Sequence, residues 1–360
     1  MNIIVNSGSS SLKYKIFDGT KVVEEKTFEN LKYLADYQKK LRELRRQFKI
    51  NKTNIQDIKF IGHRIVHGGE LKSPFILKTY RDFAKLDQYN RLAPLHNPLA
   101  VNLVKTCQIL FPKSQNIAFF DTDFFQHLPI LSYIYPLNYT LAEKLKIRKY
   151  GFHGISHKYT QRIVDPKKQL KIISIHLGSG CSITAINKGQ AVETSMGFTP
   201  LDGLMMQTRS GSIDPGIIFF LIKRLGIKYT EDLILRNSGL AGLSGTTGDM
   251  KTLLTLAGQK VNDDVVLDYK LAKNRGKFED RAKLAIDKFV YEIRKMIGAY
   301  DVVLNGSDII AFTGKIGFGS EYLRREILKN NSLVKEKKFA AIEPNEEFEI
   351  NQQLLEKGYL

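Results

Sequence analysis

Several short segments of this 360-residue chain concentrate side chains that bind anions, hold cations or move protons. Gly62-His63-Arg64-Ile65-Val66-His67-Gly68-Gly69 sets an arginine and two histidines beside a glycine pair, and Pro94-Leu95-His96-Asn97-Pro98 brackets a histidine with prolines. Phe119-Phe120-Asp121-Thr122 ends an apolar run on a carboxylate, and Tyr150 to His157 carries His153 and His157 four residues apart. Thr194 to Pro215 contains Met196-Gly197-Phe198-Thr199-Pro200 and then Arg209-Ser210-Gly211-Ser212-Ile213-Asp214-Pro215. Two further segments, Asn6 to Ser11 followed by Lys13, and Gly178-Ser179-Gly180-Cys181-Ser182, join glycine to hydroxyls. Backbone N–H groups at such close-approach turns cradle phosphate oxygens. Taken singly, each segment has an ordinary structural reading. A strand-end aspartate caps a helix as readily as it holds a metal. A His-x-x-x-His pair with no third ligand nearby fits hydrogen bonding better than zinc. Together, arginines, an imidazole, a magnesium-type carboxylate and two phosphate-type turns are what phosphoryl transfer needs. Charge spreads over the equatorial oxygens of that transition state, and donors must already be aimed at it.

The elements that carry these residues follow from periodicity. Ile3 to Val5 and Leu12 to Asp18 flank the first glycine–serine turn, which predicts a hairpin. Ile172 to Ile186 repeats the design around the second, so two related lobes are expected. Helical spacing is seen over Leu31–Lys49, Asn97–Phe111, Pro215–Leu225, Lys228–Arg236 and Phe278–Tyr300, with strands at Phe60–Val66, Ile117–Phe120 and Ile309–Thr313. A glycine turn over Gly314–Gly319, a helix over Glu321–Lys329 and a short strand at Ala340–Ile342 complete the pattern. Strands and helices mixed in both halves argue an α/β fold. The texture changes near residue 150, so one lobe is expected at 1–150 and the other at 151–346; residues 347–360 are expected to pack back on the first.

Composition narrows the class. The formal charge is +18, but lysine and arginine are spread over most of the length. The one dense stretch, Lys39 to Lys52, has Leu41, Leu44 and Phe48 at helical spacing and reads as an amphipathic helix with a solvated basic face. No zinc-finger, RRM or KH signature accompanies it, so no nucleic-acid partner is expected. The longest apolar runs, such as Ile217 to Ile222, are far too short to span a bilayer, so no membrane is expected. The chain has two cysteines, Cys107 and Cys181, without metal or redox spacing, and its N-terminus reads as a core strand rather than a signal peptide. Those features predict a cytoplasmic protein. The P-loop, the third glycine of a Rossmann fingerprint, H-E-x-x-H and the nucleophile elbow are all missing from the sequence.

On these segments the chain resembles the acetate kinase, or acetokinase, family. That family lies within the actin, sugar kinase and Hsp70 ATPase (ribonuclease H-like) fold group, whose two related lobes have the active-site cleft between them. The matching segments are Asn6–Lys13, Gly62–Gly69, Pro94–Pro98, Phe120–Thr122, Tyr150–His157, His176–Thr184 and Thr194–Pro215, with weaker matches at Ser238–Gly245, Phe312–Gly317 and Pro344–Glu347. The resemblance implies reversible in-line transfer between the ATP γ-phosphate and acetate, giving acetyl phosphate and ADP. It implies catalytic roles for Arg64, Asp121, His153 and Arg209. The implied acyl pocket is Val66, Leu95, Phe152 and Pro200, with Arg64 also on the substrate. ATP would be bound by Asn6, Ser9, Ser11, Lys13, His176, Gly178, Ser179, Gly180, Asp249, Met250, Lys251, Gly314 and Gly317. Magnesium (Mg2+, with Mn2+ as the alternative) would be held by Asn6, Asp121 and Glu346. His96 and His157 match family histidines of less defined role, and a homodimer is also implied.

Departures cluster on the nucleotide side. Ser179 stands where the family has asparagine, Lys251 where it has an arginine, and Lys315, Phe318 and Gly319 replace glycine, glutamate and asparagine. A propionate or short-chain acyl kinase is an alternative, because one methylene discriminates by only about 1–3 kcal/mol. A nucleotide-poor pseudoenzyme with a binding or regulatory role is the other.

Overall fold

Ile3, Ile4 and Val5 are buried in β1 (Asn2–Ser7), and the turn that follows returns the chain as β2 (Leu12–Asp18), antiparallel to it from Asn2↔Phe17 to Ser7↔Leu12. This is the first predicted hairpin, seen in a computed structural model that describes residues 1–8, 10–50, 57–259, 261, 267, 271, 273–330, 332–334 and 336–358. Ser9 lies outside the described residues. The chain forms two compact units, the first comprising Met1–Gln126, Phe152–Tyr159 and Asn345–Leu360, the second His127–Gly151 and Thr160–Pro344. The chain therefore passes between units at several points, where the sequence pattern predicts one boundary near residue 150 and a return at 347.

In the first unit, β3 (Lys21–Phe28), β4 (Phe60–Ile65), β5 (Phe75–Ile76) and β6 (Gln115–Phe120) extend the hairpin to a sheet of order β3-β2-β1-β4-β6-β5. β1, β4 and β6 run parallel. Helix Leu34–Ile50 buries Tyr37, Leu41, Leu44 and Phe48 at three- and four-residue steps, together with Leu103 and Cys107 of helix Asn97–Leu110. A separate cluster joins Ile4, Phe17, Ile117 and Phe119 to Ile155 and to Ile350 and Leu354 of helix Glu346–Glu356. Gly62 makes that docking possible, since a Cβ there would lie 2.8 Å from Ile4 Cδ1 and 2.9 Å from Ile350 Cγ2.

The second unit repeats the plan with β7 (Lys171–Leu177), β8 (Cys181–Asn187), β9 (Gln190–Thr194), β10 (Ile309–Thr313) and β11 (Lys338–Ala341) in the order β11-β10-β7-β8-β9. β7, β8 and β9 form an antiparallel meander, and β7, β10 and β11 are parallel. The first sheet has the same succession over β3-β2-β1-β4-β6, so the two lobes share one topology. Helix Arg275–Val303 buries Ala282, Ala285, Ile286, Phe289, Ile293 and Ile297 along one stripe and starts before the predicted Phe278. Residues Gly314–Gly319 form a short helix and not the predicted turn. Gly314, at φ +81°, makes the bend, and Arg324 Nη1 donates to the carbonyls of Gly317 and Phe318, satisfying the helix end.

Candidate active site

In an open α/β sheet, ligands bind beyond the carboxyl ends of the parallel strands. In the first unit those ends deliver Asn6 from β1, Arg64 from β4 and Asp121 just past β6. Arg64 meets Asp121 through two guanidinium nitrogens, Nη2 to Oδ2 at 2.8 Å and Nε to Oδ1 at 3.2 Å, while its Nη1 donates to Asn6 Oδ1 at 3.2 Å. Asp121 is fully buried, and burying a carboxylate is costly unless it is paired and hydrogen-bonded, as it is here. Burial pulls the Arg64 pKa down, but Asp121, with help from Glu346 and Glu347, more than reverses this and holds it above the usual arginine value.

Glu347, absent from the sequence-derived site, completes the cluster. It is fully buried in the first turn of helix Glu346–Glu356, where Oε1 accepts from Asn6 Nδ2 at 2.6 Å and Oε2 pairs with Lys13 Nζ at 2.8 Å. Burial opposes the charge on Lys13, yet Glu347 outweighs it and raises the lysine pKa. The available signal was the Asn345-Glu346-Glu347 sequence, in which Asn345 caps the helix by accepting from Phe348 N–H. Asn6, Asp121 and Glu346 are oxygen donors, and the Asn6 and Asp121 oxygens already converge on one cation, the Arg64 guanidinium. An amide oxygen and a carboxylate brought together in this way are the ligand type that magnesium prefers, and it takes few protein ligands when phosphate supplies the rest. Among the described residues no group of three or more His, Cys, Asp or Glu is arranged to hold an ion unaided.

His153 is adjacent. Its backbone is left-handed, φ +57°, an uncommon state for a non-glycine residue that clusters at functional sites. The next residue, Gly154, donates its N–H to the Asp121 carbonyl at 3.1 Å, and a Cβ there would lie 2.0 Å from that oxygen. Phe152 is buried edge-on against His67, whose ring stacks on Tyr89 at 5.2 Å. Asn97 grips the His67 backbone at both ends, accepting from its N–H at 3.0 Å and donating to its carbonyl at 2.8 Å. That links the segments carrying Val66 and Leu95, both half-buried. His96 occupies the N-cap position of helix Asn97–Leu110, and His157 is buried beside Phe125.

In the second unit, the equivalent strand ends carry His176 and the turn 178–180, closed by Gly178 N–H donating to the Gly180 carbonyl at 3.0 Å. Gly314 and Gly317 pack on Leu177, and a Cβ on Gly314 would lie 2.4 Å from the Leu177 carbonyl oxygen. Ser179 accepts from Gln207 N–H at 3.4 Å through its carbonyl. Arg209 Nη1 donates to the Pro200 carbonyl at 3.0 Å and approaches Met206 Sδ at 3.5 Å. Burial lowers its pKa, weakly opposed by Cys181. Asp249 caps helix Met250–Leu256, Oδ2 accepting from Thr252 N–H at 2.8 Å and Thr252 Oγ1 at 2.7 Å. Met250 is buried and Lys251 exposed.

A family model described as "Acetokinase family" matches residues 19–337. The acetate kinase of Acetivibrio thermocellus is 38% identical over 372 residues, covering 92% of this chain and 87% of that protein. A propionate kinase from Francisella tularensis subsp. tularensis SCHU S4 superposes with a TM-score of 0.82 at 31% identity, covering 98% of both chains. Porphyromonas gingivalis acetate kinase gives 0.80 at 27% identity, covering 99% of this chain and 98% of that one. These likenesses agree with the two sheets of shared topology and place the fold in the actin, sugar kinase and Hsp70 ATPase group. The family match extends over most of the chain, and the chain belongs to the acetokinase family, phosphotransferases with a carboxyl group as acceptor.

Proposed function

We propose that this protein is an acetate kinase that moves the ATP γ-phosphoryl group reversibly to acetate, giving acetyl phosphate and ADP. The observation that carries the reading is Arg64, held by its fork on Asp121 while also bonded to Asn6. A planar guanidinium fixed in this way is set to meet spreading phosphoryl charge with no reorganisation. The acceptor carboxylate is ionised at neutral pH, so no strong general base is required. Arg64, Arg209 and His153 stabilise the transferred group, and Asp121 orients the attacking acetate. Val66, Leu95, Phe152 and Pro200 form the acyl wall. Asn6, Ser9, Ser11 and Lys13, with His176, Gly178, Ser179 and Gly180, bind phosphates, while Asp249, Met250, Lys251, Gly314 and Gly317 serve the nucleoside side. Magnesium, held by Asp121 and Glu346 with Asn6, would supply charge neutralisation at the phosphate oxygens.

Acetyl phosphate trapped as hydroxamate, with ATP, magnesium and acetate, tests the reading directly. Turnover by the wild type and a large but measurable fall in kcat in Arg209→Ala are expected. An inactive wild type, with propionate and GTP also tried, refutes it. Propionate remains the second acceptor to test, because a structural neighbour at 31% identity is named a propionate kinase and one methylene separates the substrates.

The protein acts as a homodimer in the cytoplasm. Helix Pro215–Leu225 supports the first statement, since none of its residues is buried although Ile217, Phe219, Phe220 and Leu225 are all apolar and exposed. Two buried free cysteines agree with the second, and among the described residues no helix is long and apolar enough to cross a membrane.

A further inference from the structure

Arg209 is hydrogen-bonded to a strap of chain whose Pro200 the kinase reading places in the acyl wall. The strap, residues 197–203, is pinned at its start by Tyr135, whose hydroxyl oxygen accepts from Phe198 N–H at 2.9 Å. At its far end Asp202 Oδ1 accepts from Gly203 N–H at 2.9 Å and from Ser212 Oγ at 2.6 Å. Ser212 N–H in turn donates to the Gly203 carbonyl at 2.9 Å, tying the strap to the segment that follows Arg209. Between these pins lies Pro200, whose carbonyl receives Arg209 Nη1.

The two pins are one assembly. The Asp202 carboxylate faces the Tyr135 hydroxyl at 3.5 Å, and both crowd Gly197. A Cβ on Gly197 would lie 2.1 Å from Tyr135 Oη and 2.3 Å from Asp202 Oδ2, so the residue at this point has to be glycine. The Gly197 carbonyl accepts from Tyr150 N–H at 3.0 Å, which holds the strap from a third side. Burial, reinforced by Asp202, pushes the Tyr135 hydroxyl up to about 12, so it stays a neutral hydroxyl at working pH.

We propose that Tyr135 and Asp202 are positioning residues for Arg209: they clamp the 197–203 strap so that the Pro200 carbonyl aims the guanidinium and the proline ring together. The proposal rests on the kinase reading, in which Arg209 meets the phosphoryl group and Pro200 the acyl group. A clamp of this kind acts on the transition state and on acetate, and leaves ATP binding alone, because the strap holds none of the nucleotide residues assigned above.

The test is steady-state hydroxamate kinetics on Asp202→Ala, Asp202→Asn and Tyr135→Phe, alone and in the Arg209→Ala background. Asp202→Ala should lower kcat by ten- to a hundredfold and raise KM for acetate several-fold, with KM for ATP within twofold. Asp202→Asn, which keeps an oxygen for Gly203 N–H and Ser212 Oγ, should recover most of kcat. In Arg209→Ala, the further loss from Asp202→Ala should stay below about twofold, since residues acting through one another are not additive. Should Asp202→Ala not fold, Tyr135→Phe, which deletes one hydroxyl, carries the same expectation for kcat, acetate KM and additivity. Wild-type kinetics in these variants, or losses that add fully to that of Arg209→Ala, overturn the clamp. Full activity in Arg209→Ala itself overturns the kinase role of that arginine, and the clamp with it, so the two failures are distinguishable.

Discussion

Replacing Gly154 with alanine should disable the enzyme by moving Asp121, although neither atom added nor atom removed touches a substrate. The new Cβ would stand 2.0 Å from the Asp121 carbonyl oxygen and 2.8 Å from Phe124 Cβ. Ordinary contact begins near 3.5 Å, so the two backbones must part by roughly 1 to 1.5 Å. That separation breaks the Gly154 N–H bond to the Asp121 carbonyl, worth about 1 kcal/mol, and adds an overpacking cost of about 1–3 kcal/mol. Alanine gains at most about 1 kcal/mol of helix propensity over glycine, too little to compensate. Stability should therefore fall by roughly 1–3 kcal/mol. A displacement of about 1 Å at a positioned catalytic group costs on the order of a hundredfold in rate. The check is hydroxamate turnover beside a thermal melt for Gly154→Ala and wild type. Wild-type kcat together with an unchanged melting temperature refutes the reasoning, because it would mean that Asp121 does not depend on this approach.

Three further outcomes are expected. His63 is buried against Asn116, and burial lowers its pKa from 6.5 to about 4; as pH falls through that interval the unfolded chain takes up a proton that the folded chain refuses. The stability held above pH 6.5 should thus drain away by about 3 kcal/mol on going toward pH 4, and denaturant titrations should show a steeper pH slope for wild type than for His63→Gln. Equal slopes exclude the effect. Arg64→Lys keeps the charge but loses the fork onto Asp121 and Asn6, so kcat should drop roughly ten- to a hundredfold, corresponding to about 1.5–3 kcal/mol of charged hydrogen bonding, with a smaller change in acetate KM. Phe219→Asp combined with Phe220→Asp should convert the dimer to a monomer by light scattering, and a wild type that is already monomeric at micromolar concentration contradicts the dimer.

What could be read from the sequence was local. Both glycine–serine hairpins, the strand ending at Asp121 and the helices with a clean apolar stripe follow from residues within about one turn of each other. β3 leaves no core pattern in the sequence because its Lys21–Phe28 side chains are mostly polar and exposed. Glu347 and Glu349 look like solvent-facing helix residues, yet both are fully buried, the former by virtue of Lys13 and Asn6 more than 330 positions earlier. No window along the chain contains that pairing. The same holds for the passage of Phe152–Tyr159 into the first unit, which depends on Gly154 meeting Asp121 and Ile155 joining Phe119.

The return of the C-terminal helix to the first sheet has a consequence for synthesis. Ile350 and Leu354 cover Ile4 and Phe119, and Glu347 neutralises Lys13, so the first unit lacks part of its core and a buried counter-ion until helix Glu346–Glu356 leaves the ribosome. Every residue of the second unit has emerged by then. The half of the protein translated first is consequently the half completed last, and until that moment the nascent chain carries an uncovered apolar sheet face for which chaperones and proteases can compete.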